Sequence, residues 1–158
     1  MDDGALYDPI LGGRIFCLSA KTFIEMYSLL ADSSSKDASN ALLYNLGLRY
    51  GLSLGKKAML ITGYNADEGM KTLSDAAFKS GWGRSEISNR LGEDNMIEVS
   101  MVNCVFCEEA DDGRSGCYFL AGILNGIAES LFSQSFKTVE TECRASGGPV
   151  CRFIIKPL

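Results

Sequence analysis

The stretch from Glu140 to Cys151, ETECRASGGPVC, carries the pattern from which the fold and a candidate site follow. Cys143 and Cys151 lie eight positions apart, and two glutamates precede the first of them. The Gly-Gly-Pro at 147–149 is typical of a tight turn. Because such a turn brings its flanks together, soft thiolates and a hard carboxylate become neighbours, a combination that can bind zinc. The stretch therefore predicts half of a metal site on a closing hairpin.

Two strands are predicted on either side of this turn, at 136–142 and 151–156, and Pro157 ends the second. A helix that Ser115 can cap and that ends near Phe132 precedes them. Cys117 lies in its first turn, where the helix dipole favours the thiolate form of a metal ligand. The inward face of this helix is formed by Leu120, Leu124, Ile127 and Leu131.

The fourth ligand of a closed tetrahedral site is left open by the residues alone. Glu140 and Glu142 are the nearest carboxylates, and the C-x-x-C pair Cys104 and Cys107 is the alternative. On a regular strand Glu140 and Cys143 face opposite sides of the sheet. Glu140 can therefore join the site only if the strand bends or bulges near Glu142.

Arginines and further cysteines surround the candidate ligands in the sequence. Arg144 and Arg152 could donate to the site and offset the charge of three thiolates and a carboxylate around Zn²⁺. Cys104 and Cys107 are interpreted as packing residues, with a metal or redox role as the alternative. An acidic loop at 108–113 follows them, instead of the helix that a thioredoxin-type pair requires. Cys17, in an apolar segment, is expected in the core.

Periodicity and capping signals predict one strand, three helices and a strand pair before the last helix. After a loose N-terminal arm at 1–12, we expect a strand at 14–18, a helix capped by Ser19 or Thr22 and ending at 32–35, a helix from Lys36 to about Met59, a helix from Asn65 to Gly81, and strands at 82–91 and 96–106. Asn65 has Glu68 as its capping-box partner. This order is α+β, with a mostly antiparallel sheet packed against about four helices in one domain, 13–158.

Small residues recur on two of the predicted helices. Gly47, Gly51 and Gly55 are four residues apart, and Gly122 and Gly126 repeat that spacing. Such a stripe permits the close approach of another helix or of a ligand. Tight packing in the core is the preferred interpretation.

The composition disfavours several classes of function. The 158 residues carry a formal net charge of −5 and no basic cluster, which disfavours a nucleic-acid surface. No apolar stretch is long enough to span a bilayer, and no signal-peptide pattern opens the chain, so we expect a cytoplasmic protein. Six cysteines in that compartment indicate metal binding, redox chemistry or burial. The absence of histidine excludes Ser-His and Cys-His catalysis.

The C-terminal stretch resembles the 4-vinyl reductase domain family. The matching pattern consists of Cys117, the helix with Gly122, Val139-Glu140, Cys143, Gly147-Gly148 and Cys151-Arg152-Phe153. The helical half, where Leu42-Leu43-Tyr44 leads into Gly47 and Gly51, is similar more weakly, so the resemblance covers about 12–158. The family comprises small-molecule-binding domains related to aromatic-sensing bacterial regulators and to vesicle-tethering subunits. It implies the fold type of NO-signalling and Golgi-transport ligand-binding domains.

The resemblance also implies a ligand set for zinc. In the zinc-containing sensors a cysteine, a glutamate and two further cysteines bind the ion, and their spacing falls on Cys117, Glu140, Cys143 and Cys151. The resemblance thus selects Glu140 over Glu142. With four protein ligands the zinc would be structural and would hold the helix to the hairpin.

Related sensors enclose an aromatic effector near the zinc-bearing helix. The corresponding candidates here are Tyr118, Phe119, Trp82, Met96, Phe106, Tyr44 and Tyr50, although aromatic residues at such spacings more often fill a core. Because no histidine is present to bind a hydroxyl group, we expect a ligand more hydrophobic than phenol.

These observations predict a stand-alone, homodimeric, cytoplasmic domain that binds a hydrocarbon or aromatic molecule and acts as a sensor or carrier, with its signal passed to a partner. The alternatives are a reductase of tetrapyrrole vinyl groups and a scaffold or tethering subunit. No glycine-rich dinucleotide fingerprint follows a strand, which disfavours the enzyme.

Overall fold

Four helices and a four-stranded antiparallel sheet make up most of the computed structural model, which describes residues 5–8, 10–33, 35–107 and 117–158. The helices are α1 (Ala20–Ser33), α2 (Lys36–Ile61), α3 (Ala66–Lys79) and α4 (Tyr118–Phe132). The strands are β1 (Leu6–Tyr7), β2 (Arg14–Ile15), β3 (Arg84–Arg90), β4 (Met96–Val102), β5 (Phe136–Glu142) and β6 (Cys151–Pro157). The large sheet has the order β3-β4-β6-β5, and β1 pairs with β2. The predicted α+β class is confirmed.

The inner face of the sheet supplies most of the core. Ile97, Val99 and Met101 alternate along β4, and Phe153 and Ile155 face the same side from β6; all are buried. Helix α4 packs on β5 and β6, α3 packs on β3, and α2 covers α4. The helix that carries Cys117 at its start is therefore enclosed between the sheet and α2.

Side-chain caps fix the starts of three helices, as the sequence predicts. Ser19 accepts from Thr22 N at 3.1 Å, and Ser35 accepts from Ala38 N at 3.3 Å. Asn65 Oδ1 accepts from Glu68 N at 3.1 Å. The Asn65 N–H donates to a backbone oxygen, Thr62 O, at 3.4 Å. The acidic loop at 108–113 and the predicted cap Ser115 lie outside the described residues.

Helices α2 and α4 meet along a seam that we call the glycine seam, formed by Gly47, Gly51, Gly122 and Gly126. A Cβ atom on Gly51 would overlap the carbonyl oxygen of Ile123, and one on Gly122 would overlap that of Tyr44. Both helices thus approach backbone to backbone, and the preferred interpretation of tight core packing holds. Ser130 Oγ donates to Leu52 O at 3.0 Å across the same interface.

Two of the expectations about local structure were wrong. Cys17 is exposed, because β2 ends at Ile15 and pairs only with the two residues of β1. Strand β4 ends at Val102 instead of continuing to 106, because Asn103 adopts a left-handed conformation with φ 54°. The chain then forms a 3₁₀ turn at Val105–Cys107, which turns the C-x-x-C pair out of the sheet.

No helix of the described ranges combines the length and the apolar character needed to cross a bilayer.

Candidate functional site

Five of the six cysteines converge beside the start of α4. Cys117 is its N-cap residue, Cys143 follows β5 and Cys151 begins β6. In the register of the sheet Met101 pairs with Cys151, so the end of β4 lies beside the start of β6. For this reason Cys104 and Cys107, which follow β4, reach the same place. We call these five residues the cysteine cluster.

The sulfur atoms in the cysteine cluster have the spacing of metal ligands. Cys107 Sγ lies 3.0 Å from that of Cys117, 3.3 Å from that of Cys151 and 3.6 Å from that of Cys143. Four thiolates around a single Zn²⁺ are about 3.8 Å apart, from a Zn–S bond of about 2.3 Å and tetrahedral angles. Two sets of four donors each lie within 4.8 Å of one another: Cys104, Cys107, Cys117 and Cys151; and Cys117, Glu140, Cys143 and Cys151. The cluster could therefore hold a metal ion.

A β-bulge brings Glu140 to this cluster. Glu140 pairs with Phe153 and Glu142 pairs with Arg152, so Thr141 is the extra residue. The carboxylate then turns to the helix, where its Oε2 accepts from Cys117 N at 2.7 Å. Its Oε1 is buried and has no hydrogen-bond partner among the described residues. A buried oxygen without a partner fits the position of a metal ligand.

The arginines do not contribute in the way that the sequence suggested. The Arg152 guanidinium lies on the outer face of the sheet, 2.7 Å from Glu98 Oε1 and 3.4 Å from Glu142 Oε2. Those two carboxylates occupy its donors, so the expectation that it offsets the charge of the site was wrong. Arg144 contacts the cluster through its backbone N–H, 3.5 Å from Cys151 Sγ.

Burial and mutual hydrogen bonding shift the ionisation of these groups. Burial raises the pKa of Glu140 to about 8, although the Cys117 N–H partly opposes the shift. Hydrogen bonds with the neighbouring thiols, led by that of Cys104, lower the pKa of Cys107. The same kind of contacts, in which the sulfur is the donor, together with burial raise the pKa of Cys117 and Cys151. Without a metal the cluster therefore favours a single thiolate surrounded by thiols.

The raised pKa of Glu140 predicts how the stability of the metal-free protein depends on pH. Its pKa is about 8 in the fold and 4.5 in the unfolded chain, so the fold favours the neutral acid. The stabilisation from this group is full below pH 4.5 and is lost as the pH rises through 8. We expect Glu140→Gln to flatten this part of the pH profile of the unfolding free energy, measured by urea titration after chelation. Identical profiles for both proteins would contradict the assignment.

A partly enclosed cavity lies between α3, α4 and the inner face of the sheet. Its volume is ≈ 100 Å³, and most of its lining is apolar. Its polar groups include the hydroxyls of Ser74 and Ser85, which hydrogen-bond to each other at 2.6 Å. The apolar lining includes Leu54, Met70, Leu73, Trp82, Ile97 and Leu124. The cavity could admit a small apolar molecule.

The predicted pocket residues fall into three places. Trp82 and Tyr50 line the cavity. Phe106 and Phe119 pack beside it, with ring centroids 5.8 Å apart and Trp82 5.6 Å from Phe106. Tyr44 and Tyr118 border an open depression next to Cys117 and Glu140. Met96 is on the outer face of the sheet, because it alternates with the buried Ile97, and it does not line the cavity.

The family of the chain follows from its C-terminal part. Residues 97–157, which carry the bulge, the hairpin and all five residues of the cysteine cluster, match the family model of the 4-vinyl reductase domain. This part of the chain belongs to the 4-vinyl reductase domain family. The predicted relationship is thereby confirmed.

Two curated relatives are uncharacterized proteins of Methanocaldococcus jannaschii. MJ1642 is 31% identical over 64 residues, which cover 40% of either chain. MJ0150 is 25% identical over 117 residues, which cover 73% of this chain and 64% of the relative. The chain thus spans less than two thirds of the length of these relatives.

Solved structures share the fold of the whole chain, the 4-vinyl reductase domain included. The phenol-responsive sensory domain of the transcription activator PoxR, with phenol, has a TM-score of 0.81 at 18% identity and covers 99% of this chain and 82% of its own. A vinyl-4-reductase family protein of Methanocaldococcus jannaschii has a TM-score of 0.62 at 20% identity, covering 91% and 84%. Trafficking protein particle complex subunit 3 from Naegleria fowleri, bound covalently to palmitic acid, has 0.62 at 14%, covering 88% and 95%.

Sequence reasoning missed most of the cavity lining of this fold. Leu73, Ile97 and Val99 follow the periodicity of buried positions, and that signal places them inside. It does not show whether the side chains fill the space between α3 and the sheet. The Ser74–Ser85 contact carried no signal in the sequence, because the two residues lie on different elements.

Proposed function

We propose that this chain is a small-molecule-binding domain of the 4-vinyl reductase type whose ligand occupies the cavity between α3, α4 and the sheet. The observation that carries the proposal is a largely apolar cavity with a few converging polar groups. The shared fold supports it, because the PoxR sensory domain carries phenol and the trafficking subunit carries palmitic acid. A sensing or carrier role agrees with both.

The size and lining of the cavity favour a hydrophobic, single-ring aromatic or short hydrocarbon ligand. A dry apolar cavity of about 150 Å³ accepts benzene, which sets the scale for a volume of ≈ 100 Å³. Ser74 and Ser85 satisfy each other's hydroxyls, and the chain has no histidine. A ligand hydroxyl would have to break the serine pair, so we expect toluene to bind better than phenol.

Toluene binding should appear as thermal stabilisation. A ligand at about 100 times its Kd stabilises the folded state by about 2.7 kcal/mol, which raises Tm by roughly 5–10 °C in a chain of this size. Ala77 lines the cavity, and Ala77→Leu should fill it and abolish the shift. The matched control is Ala41→Leu, the same change at an exposed helix position. An equal shift in all three proteins would place the ligand elsewhere, and a larger shift with phenol would contradict the ligand class.

We propose in addition that a structural zinc is bound among Cys117, Glu140, Cys143 and Cys151, the set that the family resemblance implies. The spacing of the donors and the buried Glu140 Oε1 support it. When bound, the ion would join the start of α4 to both strands of the hairpin. No open coordination position is needed for this role, so the zinc would shape the fold instead of a reaction.

A cytoplasmic homodimer built from one domain, 13–158, completes the proposal. Exposed apolar side chains on α1 and α2, among them Met26, Leu29, Leu42 and Leu46, support an interface on these helices. Sedimentation equilibrium of the wild type should give twice the chain mass of 17.1 kDa.

A further inference from the structure

The fourth position of the proposed zinc site has two competing donors, Glu140 and Cys107. Cys117, Cys143 and Cys151 have their sulfurs within 4.8 Å of one another and belong to any set that includes Glu140. Cys107 Sγ lies within 3.6 Å of all three of these sulfurs. The cysteine cluster therefore contains a complete set of four thiols that does not need the carboxylate.

Local structure holds Cys107 in this place. The 3₁₀ turn is anchored by Val105 N, which donates to Trp82 O at 3.1 Å. The Phe106 ring contacts those of Phe23, Trp82 and Phe119 at centroid distances of 5.4, 5.6 and 5.8 Å. With Phe106 fixed among three rings, the next side chain points to the cluster. Cys107 is thus positioned before any ion arrives.

Glu140 already has another role in the site. Its Oε2 accepts the backbone N–H of Cys117, the N-cap residue of α4, whose side chain makes no capping bond. A carboxylate at a helix N-terminus is favourable in its own right. Zinc also has a high preference for thiolates in structural sites, where four-cysteine sets are common.

We infer that Cys107 is a zinc ligand, so that the ion is held by the thiolates of Cys107, Cys117, Cys143 and Cys151. Glu140 stays in the site as the carboxylate that caps α4 through Cys117. This inference rests on the zinc site proposed above and departs from the Cys-Glu-Cys-Cys set implied by the family resemblance. Cys104, whose sulfur lies near those of Cys107, Cys117 and Cys151, remains outside the ligand set.

X-ray absorption at the zinc edge tests the inference on the zinc-loaded protein. The wild type should show four sulfur neighbours at about 2.3 Å, and Glu140→Gln should show the same shell. Cys107→Ser should show three sulfurs and one lighter atom at about 2.0–2.2 Å. The controls Cys104→Ser and Cys17→Ser, the latter at an exposed position, should keep all four sulfurs.

The outcomes separate the inference from the site on which it rests. Three sulfurs and one oxygen in the wild type, with the oxygen lost in Glu140→Gln, would overturn the role of Cys107 and leave the zinc site intact. Loss of a sulfur in Cys104→Ser would overturn it in favour of Cys104. No zinc in the wild type would overturn both. If Cys107→Ser does not fold, the wild type and Glu140→Gln still decide between the two donor sets.

Discussion

Replacing Cys151 by serine should remove the zinc and lower Tm by about 10 °C. Cys151 is fully buried and belongs to both sets of four donors, so either choice of fourth ligand needs it. A structural ion present at about 1,000 times its Kd contributes about 4 kcal/mol to the stability of the folded state. In a chain of this size that is roughly 8–16 °C in Tm. Because the β4–β6 pairing begins at Cys151, the loss should also loosen the end of the sheet.

The measurement combines elemental analysis of zinc per chain with calorimetry. The matched control is Cys17→Ser, which makes the same change at an exposed cysteine outside the cluster and should retain the zinc and the wild-type Tm. Chelation should lower the Tm of the wild type and of Cys17→Ser and leave Cys151→Ser unchanged. Full zinc content in Cys151→Ser would falsify the proposed metal site.

Placing a methyl group in the glycine seam should destabilise the protein by about 3 kcal/mol or more. In an exposed helix Gly→Ala is favourable by about 1 kcal/mol, so an unfavourable result at Gly51 must come from its surroundings. A Cβ at Gly51 would overlap backbone atoms of Ile123, and backbone cannot move aside as a side chain can. Forcing extra volume into a close-packed interior costs about 1–3 kcal/mol, and displacing a helix lies at or beyond the upper end of this range.

Gly69→Ala is the matched comparison, because it makes the same change within another helix. There a Cβ would meet Leu131 Cδ2 at 2.8 Å, the end of a flexible side chain. Urea unfolding should therefore show a small change for Gly69→Ala and a large loss for Gly51→Ala, equivalent to a difference of roughly 6–12 °C in Tm. Equal effects of the two substitutions would mean that α2 and α4 can separate without cost.

The sequence predicted the order of the elements and part of the site for identifiable reasons. Turn chemistry at 147–149 and the strand patterns around it predicted the hairpin, and the capping signals placed Cys117 at the start of α4 to within one residue. The requirement that the strand bulge before Glu140 could join was met by the irregularity between Glu140 and Glu142. These features depend on local backbone preferences, which a sequence expresses directly.

The parts that could not be predicted depend on contacts between distant segments. Cys107 reaches the cluster because Asn103 turns the chain left-handed and Phe106 finds three rings from three other segments. The C-x-x-C pattern does not specify that direction. Cys17 looks apolar in its sequence context, yet it follows a two-residue strand at the surface. The cavity is a property of packing, and hydrophobic periodicity marks buried positions without measuring the space between them.

The glycine seam has a consequence for how the chain is synthesised. Ribosomes release the N-terminal part first, at about 5–20 residues per second, so α2 emerges well before α4, which begins at Tyr118. Until then the nascent α2 presents a bare strip of backbone at Gly47 and Gly51 that only a small-residue partner helix can cover. All donors of the cysteine cluster also arrive after residue 103. Closure of this fold is therefore a late event in translation, and the unfinished chain is the form most in need of protection.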